Sequence, residues 1–271
     1  MHQITREQKI YQTLRIAAAM CCIGHGAFGI ITKPIWCNYF AVFGIGRVLA
    51  YQLMPLVGSV DILFGISLLL YPTRAVALWL VIWGLVTATL RPLSGEPFAE
   101  LIERAGNFGA PLALLILCGR GKNLGGWLRR MSPDLDLGAK KPAQVALCLR
   151  VVVFLLLLGH GWLSLIQKKG LIEQYTWLGL SDPVEIARTI GFLEVIAALA
   201  VLIKPFAPLL LLLFVWKMAS ELFYPHHELF EWVERGGSYG SLLALYFYFT
   251  SSQYNSNGHT LKNQKLKLEF S

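Results

Sequence analysis

The sequence predicts an all-α fold: a polytopic membrane helical bundle of eight transmembrane helices, arranged as two four-helix units inserted in the same direction. Three observations carry that expectation. Hydrophobic residues make up 55% of the 271-residue chain against 15% charged, and mean hydropathy is +0.55. A soluble domain of that composition lacks the polar residues to cover its own surface. A membrane-spanning helix needs roughly 17 to 25 mostly apolar residues, and eight candidate segments lie at about 14 to 32, 54 to 71, 74 to 90, 98 to 119, 145 to 166, 186 to 203, 206 to 224 and 237 to 250. Finally, residues 15 to 33 and 150 to 168 align without a gap at an offset of 135.

Six positions of that alignment are identical: Arg15/Arg150, Gly24/Gly159, His25/His160, Gly26/Gly161, Ile31/Ile166 and Lys33/Lys168. The apolar positions between them have drifted freely. What the two copies share is mainly charge, imidazole and glycine, in segments where polar groups are costly. Further along, Gly58, Asp61, Pro72, Trp83 and Pro92 fall on Gly191, Glu194, Pro205, Trp216 and Pro225 at an offset of 133. At an offset of 131, ELIERAGNFGAPLAL from Glu100 falls on EWVERGGSYGSLLAL from Glu231. A unit of about a hundred residues is far longer than a solenoid repeat of 20 to 45 residues.

The elements follow in order. Residues 1 to 13 form a cytoplasmic tail, with Arg6 and Lys9 ahead of an apolar run that imitates a signal peptide. Arg15 and His25 interrupt that run and no small-x-small site closes it, so it is read as a retained first helix. Residues 14 to 119 form the first four-helix unit, 120 to 144 a basic linker along the inner surface, and 145 to 250 the second unit. The loops 35 to 53 and 171 to 185 carry matching aromatic text, Phe40 to Ile45 against Tyr175 to Leu180, suited to an outer interfacial cap. The tail 251 to 271, rich in Ser, Asn, Gln and Lys, is expected to be disordered.

Positive charge sets the orientation. With the N-terminus cytoplasmic, 15 of the 24 Lys and Arg residues fall inside, eight outside, and Lys217 within a helix. Ten of the 16 acids lie at or beyond the outer ends. Both termini are therefore expected in the cytoplasm, in the plasma (inner) membrane. Four helices per unit insert both units the same way up, unlike inverted-repeat transporters. The net charge of +8 reads as a topology signal and an attraction to anionic lipid. No arrangement of basic and aromatic residues points to nucleic acid. The five cysteines form no C-x-x-C and no paired framework, which disfavours structural disulfides and thiolate metal sites.

Chemistry is expected in the outer half of each unit. His25 sits near mid-membrane and Lys33 at the outer boundary, while Asp61 lies about two turns from the outer end of the second helix. Glu100, Glu103 and Asn107 share a face of the fourth helix by 3 and 4 spacing, with Arg104 adjacent. The second unit offers His160, Lys168, Glu194, Glu231, Glu234, Arg235 and Ser238 at equivalent heights. The structural reading of these residues is i,i+4 ion pairs at helix ends and a histidine bonded to the neighbouring carboxylate. The functional reading is a ligand site, because ionisable groups in lipid are expensive. His25 and His160 are also of the type that ligates haem axially, although spacing does not place their helices face to face. No zinc triad, nucleophile elbow or phosphate loop is present.

The pattern R15-x8-G-H-G-x6-K33 followed by G58-x-x-D61-x-x-x-G65, repeated as R150, G159-H160-G161, K168 and G191-x-x-E194, resembles the DoxX/DoxD-like four-helix membrane proteins. The resemblance covers about 14 to 119 and 145 to 250, so the chain would be a tandem duplication of a usually single unit. It implies a plasma-membrane protein linked in some members to quinone-dependent oxidation of sulfur compounds. Three functional readings are open at this point. One is a redox membrane component that holds quinone at His25 or His160 with Asp61 or Glu194 accepting protons. The second is a non-enzymatic docking subunit of a membrane complex. The third is a small-molecule carrier using Arg104/Arg235 and Lys33/Lys168.

Overall fold

A computed structural model describes residues 4–119, 121, 123–132, 140–223 and 229–250. The expected tail 251 to 271, part of the linker, and His226 and His227 lie outside the described residues. Within them the chain is helical, and the only β feature is an isolated bridge between Thr73 and Arg130.

The first helix, α1 (Arg6–Ile30), starts at a capping box in which the Thr5 hydroxyl accepts from the Gln8 amide and the Gln8 side chain accepts from the Thr5 amide. A short α2 (Trp36–Ala41) precedes α3 (Arg47–Leu70), and α4 (Arg74–Leu93) begins at an N-cap from Thr73. The following segment is split into α5 (Ala99–Glu103) and α6 (Ala105–Cys118). After the short α7 (Leu124–Leu128) come α8 (Lys140–Leu165) and α9 (Lys169–Trp177). Next is α10 (Pro183–Ile203), capped by Asp182 with a proline in its first turn. Then α11 (Ala207–Ser220) runs into a 3-10 turn, Glu221–Phe223, and α12 (Leu229–Glu234) is followed by α13, residues 236–250.

Among the described residues, five helices are long and apolar enough to cross a membrane: α1, α3, α4, α8 from Lys141, and α10. The sequence led us to expect eight. The shortfall has a local cause. The expected helix 98 to 119 breaks at Arg104, which has φ −86° and ψ 15°, leaving α6 with 14 residues. At the break the Asn107 amide donates to the Arg104 carbonyl at 2.9 Å, and at Arg235 the Ser238 amide does the same to the Arg235 carbonyl at 2.9 Å. These tighter i to i+3 turns interrupt the α-ladder where the charged side chains cluster. The expected span 206 to 224 is likewise only 14 residues of α-helix before its 3-10 turn. Other boundaries move too: the expected outer loops contain α2 and α9, α3 starts at Arg47, and α8 begins inside the expected linker.

Glycines set the helix crossings. On α1, Gly26 and Gly29 face Gly58 of α3, where an added Cβ would stand 2.6 Å from the Gly58 and Met54 carbonyl oxygens respectively. Gly161 of α8 faces Gly191 of α10 with the same intimacy, 2.8 Å to its carbonyl oxygen. Gly24 of α1 lies against the backbone of Glu234 on α12, and Gly159 of α8 against the backbone of Glu103 on α5. Each long first helix therefore packs on its neighbour in sequence and on a broken helix from the other half of the chain. Gly106 and Gly237 let α6 and α13 meet backbone to backbone. One apolar core results, drawing Leu14, Leu114 and Leu117 together with Leu149, Leu156, Leu210 and Leu245.

Backbone details recur at the sequence offset of 135. Thr32 and Gln167 both adopt positive φ, 54° and 58°, as do Gly44 and Gly179 at 74° and 73°. The outer surface of the long helices is apolar: Leu63, Leu70, Ile82, Leu193, Ile196 and Ile203 are each at least half exposed. Such a surface suits hydrocarbon as its solvent and would be an aggregation hazard in water.

Candidate functional site

Each first helix brings a histidine onto a carboxylate of the helix packed beside it. His25 Nδ1 lies 2.7 Å from Asp61 Oδ2, and His160 Nδ1 lies 2.5 Å from Glu194 Oε2. An ionised carboxylate only accepts, so Nδ1 donates in both pairs and Nε2 is the nitrogen left for other chemistry. Gly26 and Gly161, the glycines that follow the histidines, permit the close helix approach that makes each bond. The environments then diverge. The side chain of His25 is 18% exposed and its ring rests on Trp36 with centroids 4.6 Å apart, whereas His160 is 7% exposed. Glu194 also accepts from the Trp216 indole Nε1 at 3.1 Å. Asp61 is one methylene shorter, and the Nε1 of the sequence-equivalent Trp83 is buried without a hydrogen-bond partner.

Behind these pairs runs a chain of ionised groups that crosses between the halves. Arg91 reaches Glu96 at 2.9 Å and Glu100 at 3.3 Å, and Arg104 reaches Glu100 at 2.9 Å and Glu103 at 2.8 Å. Glu103 is shared with Arg235, which approaches Glu221 at 3.7 Å, and Glu221 lies 3.4 Å from Lys217. Glu234 is buried with Arg104, Arg235 and His25 as electrostatic neighbours. At the rim the lysines pair crosswise: Lys33 with Glu231 and Lys168 with Glu100. Glu100, Glu103, Arg104, Lys217, Glu221, Glu234 and Arg235 are all buried. Paired in this way they avoid the several kcal/mol that each uncompensated charge would cost.

A cavity of about 90 Å³ opens beside His25, walled by Trp36, Phe40, Phe43 and Val57 and floored by Trp83, Thr87, Asn107, Arg104 and Glu234. A smaller void of about 20 Å³ extends it past Gly84 toward Cys21 and Cys22. The larger space is several times the ~10–15 Å³ that one water needs. At its mouth Tyr39 donates to Glu96 at 2.6 Å, and burial, with that carboxylate beside it, pushes the Tyr39 phenol up, so it stays a donor at neutral pH. Arg91 lies over the same ring, 5.5 Å from its centroid.

The structure thus brings His25, Asp61, Arg104, Asn107 and Glu234 to one place, and His160 and Glu194 to another. Lys33 and Lys168 reach across to carboxylates of the opposite half. Ser238 is buried at the α6–α13 contact, where its backbone meets Gly106. Sequence reasoning did not select Trp83, Trp36, Tyr39, Thr87, Arg91, Lys217 or Trp216. The signals were present for three of them: Trp83 and Trp216 are a matched pair, and Lys217 is a charge in an apolar helix. No group of three or more potential metal ligands occurs among the described residues, where the cysteines form no disulfide and are all buried except the half-buried Cys148. Chemically, the cavity can hold a flat apolar or aromatic group, donate hydrogen bonds to it, and exchange a proton at His25. Comparison with protein-family models, curated proteins and solved structures finds no match for the chain.

Proposed function

We propose that the chain is a DoxX-like integral membrane protein that binds a quinone headgroup in the cavity beside His25 and serves as a redox component of the plasma membrane. In this reading α1, α3, α4 and α5–α6 form one unit and α8, α10, α11 and α12–α13 a second. The chain then crosses the bilayer eight times with both termini cytoplasmic. Each broken helix totals about 20 residues, close to 30 Å at 1.5 Å per residue, which is enough to span. The recurring φ values and the paired breaks at Arg104 and Arg235 support the two-unit arrangement.

The observation that carries the functional reading is the His25–Asp61 pair opening into an aromatic-walled cavity. A planar ring is held there by stacking against Trp36 and Phe40, while Arg104 and Asn107 donate to its oxygens. Asp61 fixes the imidazole tautomer and would stabilise the imidazolium, which leaves Nε2 to hydrogen-bond, and exchange a proton with, an oxygen of the bound headgroup. Quinone supplies the electron chemistry, and the protein supplies binding and proton exchange.

The test is a reduced-minus-oxidised spectrum and quinone extraction on protein purified in mild detergent. Near-stoichiometric quinone that is lost in His25→Ala and kept in His160→Ala is the expected result. Intact protein without quinone or chromophore would sink the reading. It would favour instead a docking subunit of a membrane complex, for which the crosswise pairs Lys33–Glu231 and Lys168–Glu100 are the supporting observation, since they pin helices without needing a ligand.

A further inference from the structure

The two halves are unequal where they should match. At the offset of 133 that pairs Trp83 with Trp216, Gly84 corresponds to Lys217, Thr87 to Ser220 and Ala88 to Glu221. Gly84 and Thr87 line the space beside His25. Their counterparts are a lysine 2% exposed and a serine 7% exposed. The Lys217 side chain stands beside Glu194, with its ammonium 3.4 Å from Glu221 and without a hydrogen-bond partner. A four-carbon stem and a charged head therefore stand in the second half at the position where the first half has a glycine packed on the α6 backbone, an added Cβ there lying 3.1 Å from the Asn107 carbonyl oxygen.

The hydrogen bonds differ in the same sense. Trp216 Nε1 donates to Glu194, which the His160 ring also holds. Asp61 reaches His25 but leaves the Trp83 N–H buried and unpartnered. A buried donor without an acceptor is destabilising, and a ligand oxygen at that place would remove the penalty. The second half thus shows what the first half lacks, an acceptor for the indole.

We propose that ligand binding is confined to the first half, where the Trp83 N–H donates to a carbonyl-type oxygen of the ligand, and that Lys217 with Glu221 closes the corresponding space in the second. The ligand class is a flat ring bearing an acceptor oxygen, held between aromatic walls; the proposal rests on the quinone reading for the ring and on the orphaned indole for the oxygen. One ligand binds per chain although two histidine–carboxylate pairs are present.

The experiment has a ligand arm and a ligand-free arm. In the first, a decyl-substituted benzoquinone is titrated against the full chain in detergent. One equivalent bound, at least tenfold weaker in Trp83→Phe and unchanged in Trp216→Phe, is expected. In the second, Thr87→Cys and Ser220→Cys are treated with a small methanethiosulfonate, and peptide mass mapping separates the new thiols from the five native ones. Thr87→Cys should label readily and Ser220→Cys should stay protected. Two equivalents of quinone, equal weakening by the two tryptophan variants, or equal labelling at both cysteines would each overturn the proposal. No quinone uptake together with one-sided labelling overturns the quinone reading and supports the inequality of the halves.

Discussion

Glu103 is the carboxylate on which the two halves meet, and replacing it by glutamine tests how the buried charges are balanced. The linked cluster contains five carboxylates, Glu96, Glu100, Glu103, Glu221 and Glu234, and five cations, Arg91, Arg104, Lys168, Lys217 and Arg235. It is formally neutral with all groups ionised. Glu103→Gln keeps the shape but leaves Arg104 and Arg235 to share one counter-charge fewer, in a place where Glu103 is only 3% exposed. Removing one partner of a buried pair costs about 3–5 kcal/mol. With roughly 2–4 °C of Tm per kcal/mol for a chain of this size, the melting temperature should fall by roughly 6 to 20 °C. The assay is intrinsic-fluorescence melting in detergent at a fixed scan rate, since membrane proteins often unfold irreversibly. The double variant Glu103→Gln/Arg235→Met restores neutrality and should recover at least half of the loss, because the two positions are coupled. A single variant melting within about 2 °C of wild type, or a double variant whose loss equals the sum of its singles, would refute the account.

Three further outcomes follow from local geometry. Gly159→Ala places a methyl 2.6 Å from Glu103 Cα and Gly24→Ala one 2.6 Å from Glu234 Cα; both should cost about 1–3 kcal/mol in the same melting assay, while Gly170→Ala, where a methyl meets nothing within 4 Å, should be neutral. Arg74 donates to the carbonyls of Cys118, Gly119 and Gly126 at 2.8–3.1 Å, so Arg74→Ala should free the segment around α7 and speed tryptic cleavage after Arg129 several-fold. Tyr11→Phe removes the bond from its hydroxyl to the Met131 carbonyl at 2.9 Å and should cost about 1 kcal/mol, read as a Tm decrease of a few degrees.

The histidine–carboxylate pairs were legible because the chain writes them twice: His25 with Asp61 and His160 with Glu194 share the same glycine frame. The helix breaks were not legible, since E-R-x-G is compatible with a continuous helix and Arg104 needed no proline or glycine of its own to turn the backbone. Crosswise pairing was also hidden. Lys33 and Glu231 lie 198 positions apart, and nothing local tells a lysine at a membrane boundary which carboxylate it will meet. The cavity was hidden for the same reason, since its walls come from α1, α2, α3, α4, α6 and α12 and no local pattern says that Trp36, Trp83, Asn107 and Glu234 will meet.

Matched and unmatched positions behave differently within the site. The polar groups that agree between the halves, Lys33 and Lys168, Arg104 and Arg235, Glu103 and Glu234, are those that reach across the interface or sit on it, and packing alone accounts for their agreement. A chain whose core needs both halves cannot lose them from either. The residues that disagree are Asp61 against Glu194, Gly84 against Lys217 and Ala88 against Glu221, and of these only Lys217 and Glu221 join the buried ionic chain, through Arg235. Beside His25 the first half keeps an unpartnered indole, Trp83, where the second half has Trp216 bonded to Glu194. That difference falls at the wall of the cavity beside His25, where helix packing by itself gives no reason for a buried donor to go unpaired.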